Sequence, residues 1–221
     1  MAIYKYLTHE EHVRAFVETG SFLMKPLSHF CHLEDGLIRG DRHEGLLAFA
    51  PPPGLELTKS DGSVVMMEGW RFLAQAKLDE IFVFCAGSEL SQELAERFDN
   101  SRFCVEIPDP QVLVDRLRAR ADRTSKLDYQ QIHHGYVEYV RPEQEPGADW
   151  ALPERVAFRK LEEFDWQNEY RIALGVRGAF NVENVICMLH TGPLPPPAPP
   201  ANQPLMLNLG SLEEHARVHR F

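Results

Sequence analysis

Apolar and polar positions along this chain alternate with two different periods, and the change of period separates strands from helices. Ile3–Leu7 alternates and is aromatic, which predicts a strand. Thr8, with Glu11 three residues on, reads as a capping box. Val13, Phe16 and Val17 then form the apolar stripe of a helix that Gly20 stops. Residues 21–24 read as a short strand before a loop containing Pro26, and residues 55–67 as a hairpin turning at Asp61-Gly62. The continuous apolar run 81–85 predicts a central strand. A short helix over residues 91–98 and a strand over 103–107 follow. Asp109 as N-cap with Pro110 at the first helical position opens a helix to about Ala121, with Val112, Leu113 and Leu117 on its buried stripe. Further strands are expected at 129–133, 136–140, 169–174, 185–189 and 205–209, and residues 156–161 fit either helix or strand.

The polar stretches between these elements are as telling. Residues 29–45 form a long irregular segment, and loops of that length inside a compact domain are commonly functional. Residues 192–204 carry seven prolines and predict an extended surface loop. No internal repeat is visible. The expected architecture is one α+β domain over residues 1–221, interrupted by that proline-rich loop.

Composition narrows the function classes. The 221 residues are 44% hydrophobic and 25% charged, the balance of an ordinary globular protein able to bury its own core. No run approaches the length of a membrane helix, and the N-terminus lacks the charged-then-apolar pattern of a secretory signal. Cys31, Cys85, Cys104 and Cys187 are far apart, without a Cys-x-x-Cys pair, so free thiols in a cytoplasmic protein are expected. The net charge of −10 speaks against tight non-specific nucleic-acid binding. No nucleophile elbow, phosphate-binding glycine loop or dinucleotide fingerprint is present.

The candidate chemistry sits in Asp165-Trp166-Gln167-Asn168-Glu169-Tyr170-Arg171-Ile172-Ala173-Leu174. Read as a strand with faces alternating, Tyr170, Ile172 and Leu174 enter a core. Gln167, Glu169 and Arg171 then share the other face, where they meet solvent or line a cleft.

A Gln-x-Glu pair at the start of such a strand resembles the arrangement with which ADP-ribosyltransferases hold the nicotinamide ribose of NAD. The opening Tyr4-Lys5-Tyr6-Leu7-Thr8-His9, a helix ending in glycine and a short strand are similar to the start of DNA-targeting toxin ADP-ribosyltransferases of toxin–antitoxin pairs. Those open Tyr-His-x-Thr, and here Lys5 or Tyr6 falls at the place of the histidine that contacts NAD. The Tyr-Lys-Tyr start, the loop Arg39-Gly40-Asp41-Arg42-His43-Glu44-Gly45 and the late Glu169-Tyr170-Arg171 strand together resemble a widespread bacterial family of this fold, although the Asn-Asp-Pro core of that family's loop is replaced here.

The resemblance implies a split, mostly antiparallel two-sheet core with a few peripheral helices and NAD, as substrate, in the cleft between the sheets. It implies that Glu169 stabilises the positive charge of an oxocarbenium-like transition state and that Gln167 orients the nucleophile. Tyr4, Lys5, Tyr6, Ser28, Phe30, Arg39, Asp41, Arg42, Glu44 and Arg171 would contact the dinucleotide, with Arg39 or Arg42 on the pyrophosphate and Phe30 stacked on nicotinamide. The acceptor would be a protein or a nucleic acid. Enzymes of this kind act as toxins or phage-conflict effectors, with an antitoxin or inhibitor protein as partner.

Two other readings compete. His29, His32, Asp41, His43 and Glu44 could ligate a metal for a hydrolase or nuclease, and the scaffold could serve as a non-catalytic interaction module. Arg116, Arg118, Arg120, Arg123 and Lys126 form a basic stretch that is either a solvated face or a docking surface.

Overall fold

A computed structural model describes residues 1–31, 43–194 and 201–221. The chain opens with β1 (Ile3–Leu7), α1 (Glu10–Thr19), β2 (Ser21–Pro26) and a single helical turn α2 (Leu27–Phe30). Next come β3 (Leu46–Phe49), the hairpin β4 (Gly54–Thr58) and β5 (Val64–Glu68), β6 (Trp70–Gln75) and β7 (Ile81–Gly87). Then follow α3 (Gln92–Arg97), β8 (Phe103–Ile107), α4 (Gln111–Ala121), β9 (Leu127–Tyr136) and β10 (Glu138–Val140). The last third holds α5 (Pro153–Ala157), β11 (Arg159–Leu161), a 3-10 helix Glu162–Gln167, β12 (Glu169–Val176), β13 (Ile186–Thr191), β14 (Leu205–Asn208) and β15 (Arg217–Arg220). The fold is mixed, its strands pair antiparallel except for β10 with β11, and its helices are few and short.

The main sheet is organised by β7. Along one edge it pairs with β12 from Ile81↔Gly175 to Gly87↔Glu169. Its other edge is shared: β2 takes Phe82 and Val83, and β1 takes Gly87. Between those contacts Phe84, Cys85 and Ala86 have no strand partner on that edge among the described residues, so β1 and β2 diverge and the sheet is split. The Lys5 ammonium reaches into this gap and donates to the Cys85 carbonyl at 2.7 Å. A carbonyl that would otherwise lack a ladder partner is thereby satisfied.

Hydrophobic burial holds both sides of the split in place. Phe22 stacks on Phe84 with ring centroids 4.3 Å apart, and Phe16 from α1 packs on both. Tyr170, Ile172 and Leu174 join this larger core, whereas Ala173 faces a second one with Ile81, Val83, Val156 and Phe180. Strand β12 is therefore covered on both faces, and its polar face is not solvated as a strand of a one-sided sheet would be. Gly20 adopts φ +65°, and a Cβ there would sit 2.1 Å from the Gly210 carbonyl oxygen. Only glycine allows α1 to end so close to the backbone that follows β14.

Several local expectations are corrected. Helix α1 begins at Glu10 with His9 as an extended N-cap and no side-chain cap, so Thr8 does not start it. Pro26 closes β2 instead of lying in a loop. On α4 the stripe is Leu113, Val114, Leu117 and Ala121, with Val112 only half-buried; the helix starts at Gln111 with Pro110, not Asp109, as N-cap, and Asp109 Oδ1 accepts from the Gln111 amide at 3.0 Å. The two strands expected over 129–140 are one ten-residue strand, β9, and the short β10. The ambiguous segment 156–161 divides between α5 and β11. Strands β3, β6 and β15 lacked a clear alternation. They are supported by pairing: β6 lies between β3 and β13, and β15 adds to β8. Arg116 on the basic helix donates to the carbonyls of Leu209, Gly210 and Ser211, a structural role. No helix among the described residues is long and apolar enough to cross a membrane.

Candidate active site

Gln167 and Glu169 do not sit on one strand. Gln167 ends the 3-10 helix, Asn168 takes a left-handed conformation (φ 45°, ψ 53°), and Glu169 is the first residue of β12. Asparagine is among the non-glycine residues that tolerate this region best. The turn at Asn168 achieves what strand alternation was expected to achieve, because both side chains converge on the same ammonium. Lys160 Nζ donates to Gln167 Oε1 at 2.7 Å and to Glu169 Oε2 at 3.0 Å.

The remainder of the cluster is an ion network. Arg171 Nε donates to Glu169 Oε1 at 2.7 Å, and Arg171 Nη1 and Nη2 hold Glu44 in a two-point pair at 2.7 and 2.9 Å. Lys160 lies 3.6 Å from Glu44 as well. Two carboxylates and two cations therefore cancel inside the protein, with Arg171 and Glu44 each only 1% exposed. Buried charges persist only when paired and hydrogen-bonded, as these are. Burial by itself would raise the Glu169 pKa, but the charges of Arg171 and Lys160 and the hydrogen bonds from Arg171 and Cys85 outweigh it, holding the carboxyl well below the usual carboxylate range. Burial also opposes the charge on Lys160, and Glu169 and Glu44 more than restore it, so its pKa is raised. Burial, reinforced by Glu169, pushes the Cys85 thiol up to about 12. The Tyr139 hydroxyl accepts from the Glu169 amide at 3.0 Å, which fixes the strand's first residue.

Lys160, Gln167 and Glu169 form the floor of a cavity of about 500 Å³ lying in the split between β1 and β2. That volume falls in the range of about 300–1,000 Å³ typical of small-molecule sites. Tyr4, Lys5, Tyr6 and Phe30 line it, as do Lys25, Phe84, Cys85 and Phe98. Its charged lining residues are three lysines, at positions 5, 25 and 160, against the single carboxylate of Glu169. In a chain of net charge −10 this is a cationic cavity with aromatic walls.

The residues singled out from sequence fall into three groups. Glu169, Gln167, Tyr4, Lys5, Tyr6 and Phe30 meet at the cavity. Glu44 and Arg171 lie behind the floor, and Ser28 donates to Asp79 at 2.5 Å outside the lining. Glu44, expected to contact the dinucleotide, pairs with Arg171 and Lys160 and is not among the residues that line the cavity. Arg39, Asp41 and Arg42 lie outside the described residues, as does His32 of the metal reading. Among the described residues no three His, Cys, Asp or Glu groups are placed to hold a metal ion. Sequence reasoning missed Lys160, Cys85 and Tyr139. Lys160 sits in a segment without clear period, and its one signal is a lone lysine between Arg159 and Leu161 in a strand-length run. Comparison of the chain with protein-family models, with curated proteins and with solved structures gives no match in any of the three.

Proposed function

We propose that this protein is an NAD-consuming ADP-ribosyltransferase that uses the cavity between β1 and β2. The observation that carries the reading is the convergence of the Gln167 and Glu169 side chains on the floor of a split-sheet cavity whose wall is the first strand. Those are the elements that the sequence resemblance joins. Lys5 and Lys25 suit a ligand with a pyrophosphate, and Tyr4, Tyr6, Phe30, Phe84 and Phe98 offer faces for its aromatic ends.

In this reading Glu169 stays ionised and lies beside the anomeric carbon, where its charge offsets the cation that develops as the nicotinamide bond lengthens. Arg171 and Glu44 hold that carboxylate in one orientation, so no reorganisation is needed during the reaction. Gln167 orients the incoming nucleophile, and Lys5 and Lys25 hold the phosphates.

The test is direct. NAD should raise the Tm of the protein, further as its concentration exceeds the Kd, and labelled NAD should release nicotinamide. Glu169→Gln should remove the release while the cavity still takes up NAD. A wild-type Tm indifferent to NAD, together with no nicotinamide release, would refute the assignment.

A further inference from the structure

We infer that Lys160 is the positioning residue of the reaction, holding Gln167 and Glu169 in one geometry from a strand outside the main sheet. This rests on the ADP-ribosyltransferase reading and adds to it the group that aligns the two site residues.

Backbone geometry alone does not align them. Residues two apart on one strand share a face without further help. Gln167 and Glu169 lack that help, because Asn168 turns the chain at φ 45° between them. Their relative placement needs a partner common to both. Lys160 is such a partner, at 2.7 Å from Gln167 Oε1 and 3.0 Å from Glu169 Oε2. Gln167 makes a further interaction besides, so the share of Lys160 is a quantity to be measured. Arg171 is carried by the same strand as Glu169 and braces it against Glu44.

The strand that carries Lys160 is itself tied to Glu169. Strands β10 and β11 form a two-stranded parallel ribbon with Tyr139 opposite Lys160. A ribbon of two short strands is marginal alone. Arg159 fastens this one, donating to Glu138 at 2.7 Å and to the Trp150 carbonyl at 3.3 Å. The Tyr139 hydroxyl accepts from the Glu169 amide at 3.0 Å, and the Val137 amide donates to the Glu169 carbonyl at 2.9 Å. The backbone of Glu169 and its carboxylate are thus held by one small unit. The Lys160 ammonium sits 5.5 Å from the Phe164 ring, on the same 3-10 helix as Gln167.

Charge explains why a lysine stands there. A buried ammonium is costly, and an apolar side chain of the same length would fill the space. Its charge completes a balance, with Glu44 and Glu169 against Arg171 and Lys160. Without it one guanidinium would face two buried carboxylates, and a proton taken up by one of them would relieve the imbalance. The groups around Glu169 are Arg171 from β12, Lys160 from β11, the Cys85 thiol from β7 and the Tyr139 phenol from β10, with Glu44 behind Arg171. Arg171 and Lys160 supply the positive charge that keeps the carboxyl ionised. Glu169 must be ionised to offset the developing cation, so the acid limb of kcat/KM reports its titration.

The experiment compares Lys160→Met, which removes the ammonium and keeps the stem, with Lys160→Gln, which removes the charge and keeps a hydrogen-bond donor. NAD binding is read by calorimetry and nicotinamide release as kcat and kcat/KM across pH. The Glu169 carboxyl is titrated separately by NMR of carbon-13 glutamate protein. In Lys160→Met, kcat should fall by about tenfold or more, the value of one charge-assisted hydrogen bond, while NAD affinity changes far less. The acid limb and the Glu169 titration should move together to higher pH. Gln167→Ala should cost less in Lys160→Met than in the wild type, because the two side chains act as a unit. Lys160→Gln should recover part of the rate and leave the acid limb displaced; if Lys160→Met does not fold, this displacement and the NMR titration carry the test. An acid limb and a Glu169 titration unchanged in the variants, or a loss confined to NAD affinity, would overturn the role and leave the NAD reading standing. A wild type that neither binds NAD nor releases nicotinamide would overturn the two together.

Discussion

Arg171 grips Glu44, a residue 127 positions earlier, through two parallel hydrogen bonds of 2.7 and 2.9 Å. The same guanidinium grips Glu169 two positions before it on β12. One side chain thus ties the loop before β3 to the candidate catalytic carboxylate, and Arg171 and Glu44 are both shut off from water.

Removing one member of a buried pair leaves its partner desolvated and unopposed. Glu44→Ala should destabilise the fold by about 3–5 kcal/mol, read as a lower denaturation midpoint in urea with the slope unchanged. A cost below about 1 kcal/mol, as for an exposed pair, would show that the cluster is wetter than its geometry.

Stability should fall on both sides of neutrality. The Glu169 pKa in the folded protein lies below its ordinary 4.5, so its contribution is present above that value and is lost as pH drops through the folded pKa, beginning near pH ~5. The Lys160 pKa is raised above 10.5, so its contribution is present below that value and disappears as pH rises through the folded pKa. The Cys85 thiol and the Tyr139 phenol, both pushed up to about 12, act in the same alkaline direction. Urea midpoints across pH should show a neutral plateau, and Glu169→Gln should flatten the acid limb.

A cavity with three lysines and one carboxylate attracts anions. NAD affinity, measured by titration calorimetry, should weaken as salt is raised, and Lys25→Met should reduce both the affinity and its salt dependence. An affinity indifferent to salt would remove the lysines from ligand binding.

Of the four cysteines only Cys187 is exposed, while Cys31 and Cys104 are buried and Cys85 is half-buried at the cavity. One thiol should react quickly with a disulfide reagent in the native protein and all four after denaturation. The Cys85 and Cys104 thiolates are disfavoured because burial pushes both pKa values to about 12.

Gly20→Ala should cost more than about 1 kcal/mol, because it combines a left-handed backbone with a backbone clash at Gly210. The same change at Gly62, also left-handed but facing open space, should cost less. Denaturant midpoints of the two variants decide this.

Local pattern made much of this molecule legible. Aromatic alternation marked β1, the uninterrupted run at 81–85 marked β7, and Asp61-Gly62 marked the hairpin turn, because in each case neighbouring residues alone set the backbone. Glu169 and Gln167 stood out for the same reason, as polar groups in an apolar stretch. Their convergence was legible only in part: it depends on a left-handed turn at Asn168 that strand alternation did not anticipate.

Residue type and period, which act over a few positions, set which segments are extended, which are helical, and which carboxylate stood out. Tertiary structure alone decided that β1 and β2 part company on the edge of β7, that Lys160 enters the floor of the resulting cavity, and that Arg171 finds Glu44 across 127 residues. Those outcomes come from desolvation. A charge withdrawn from water must find its counter-charge wherever the fold places one, and distance along the chain carries no record of that choice.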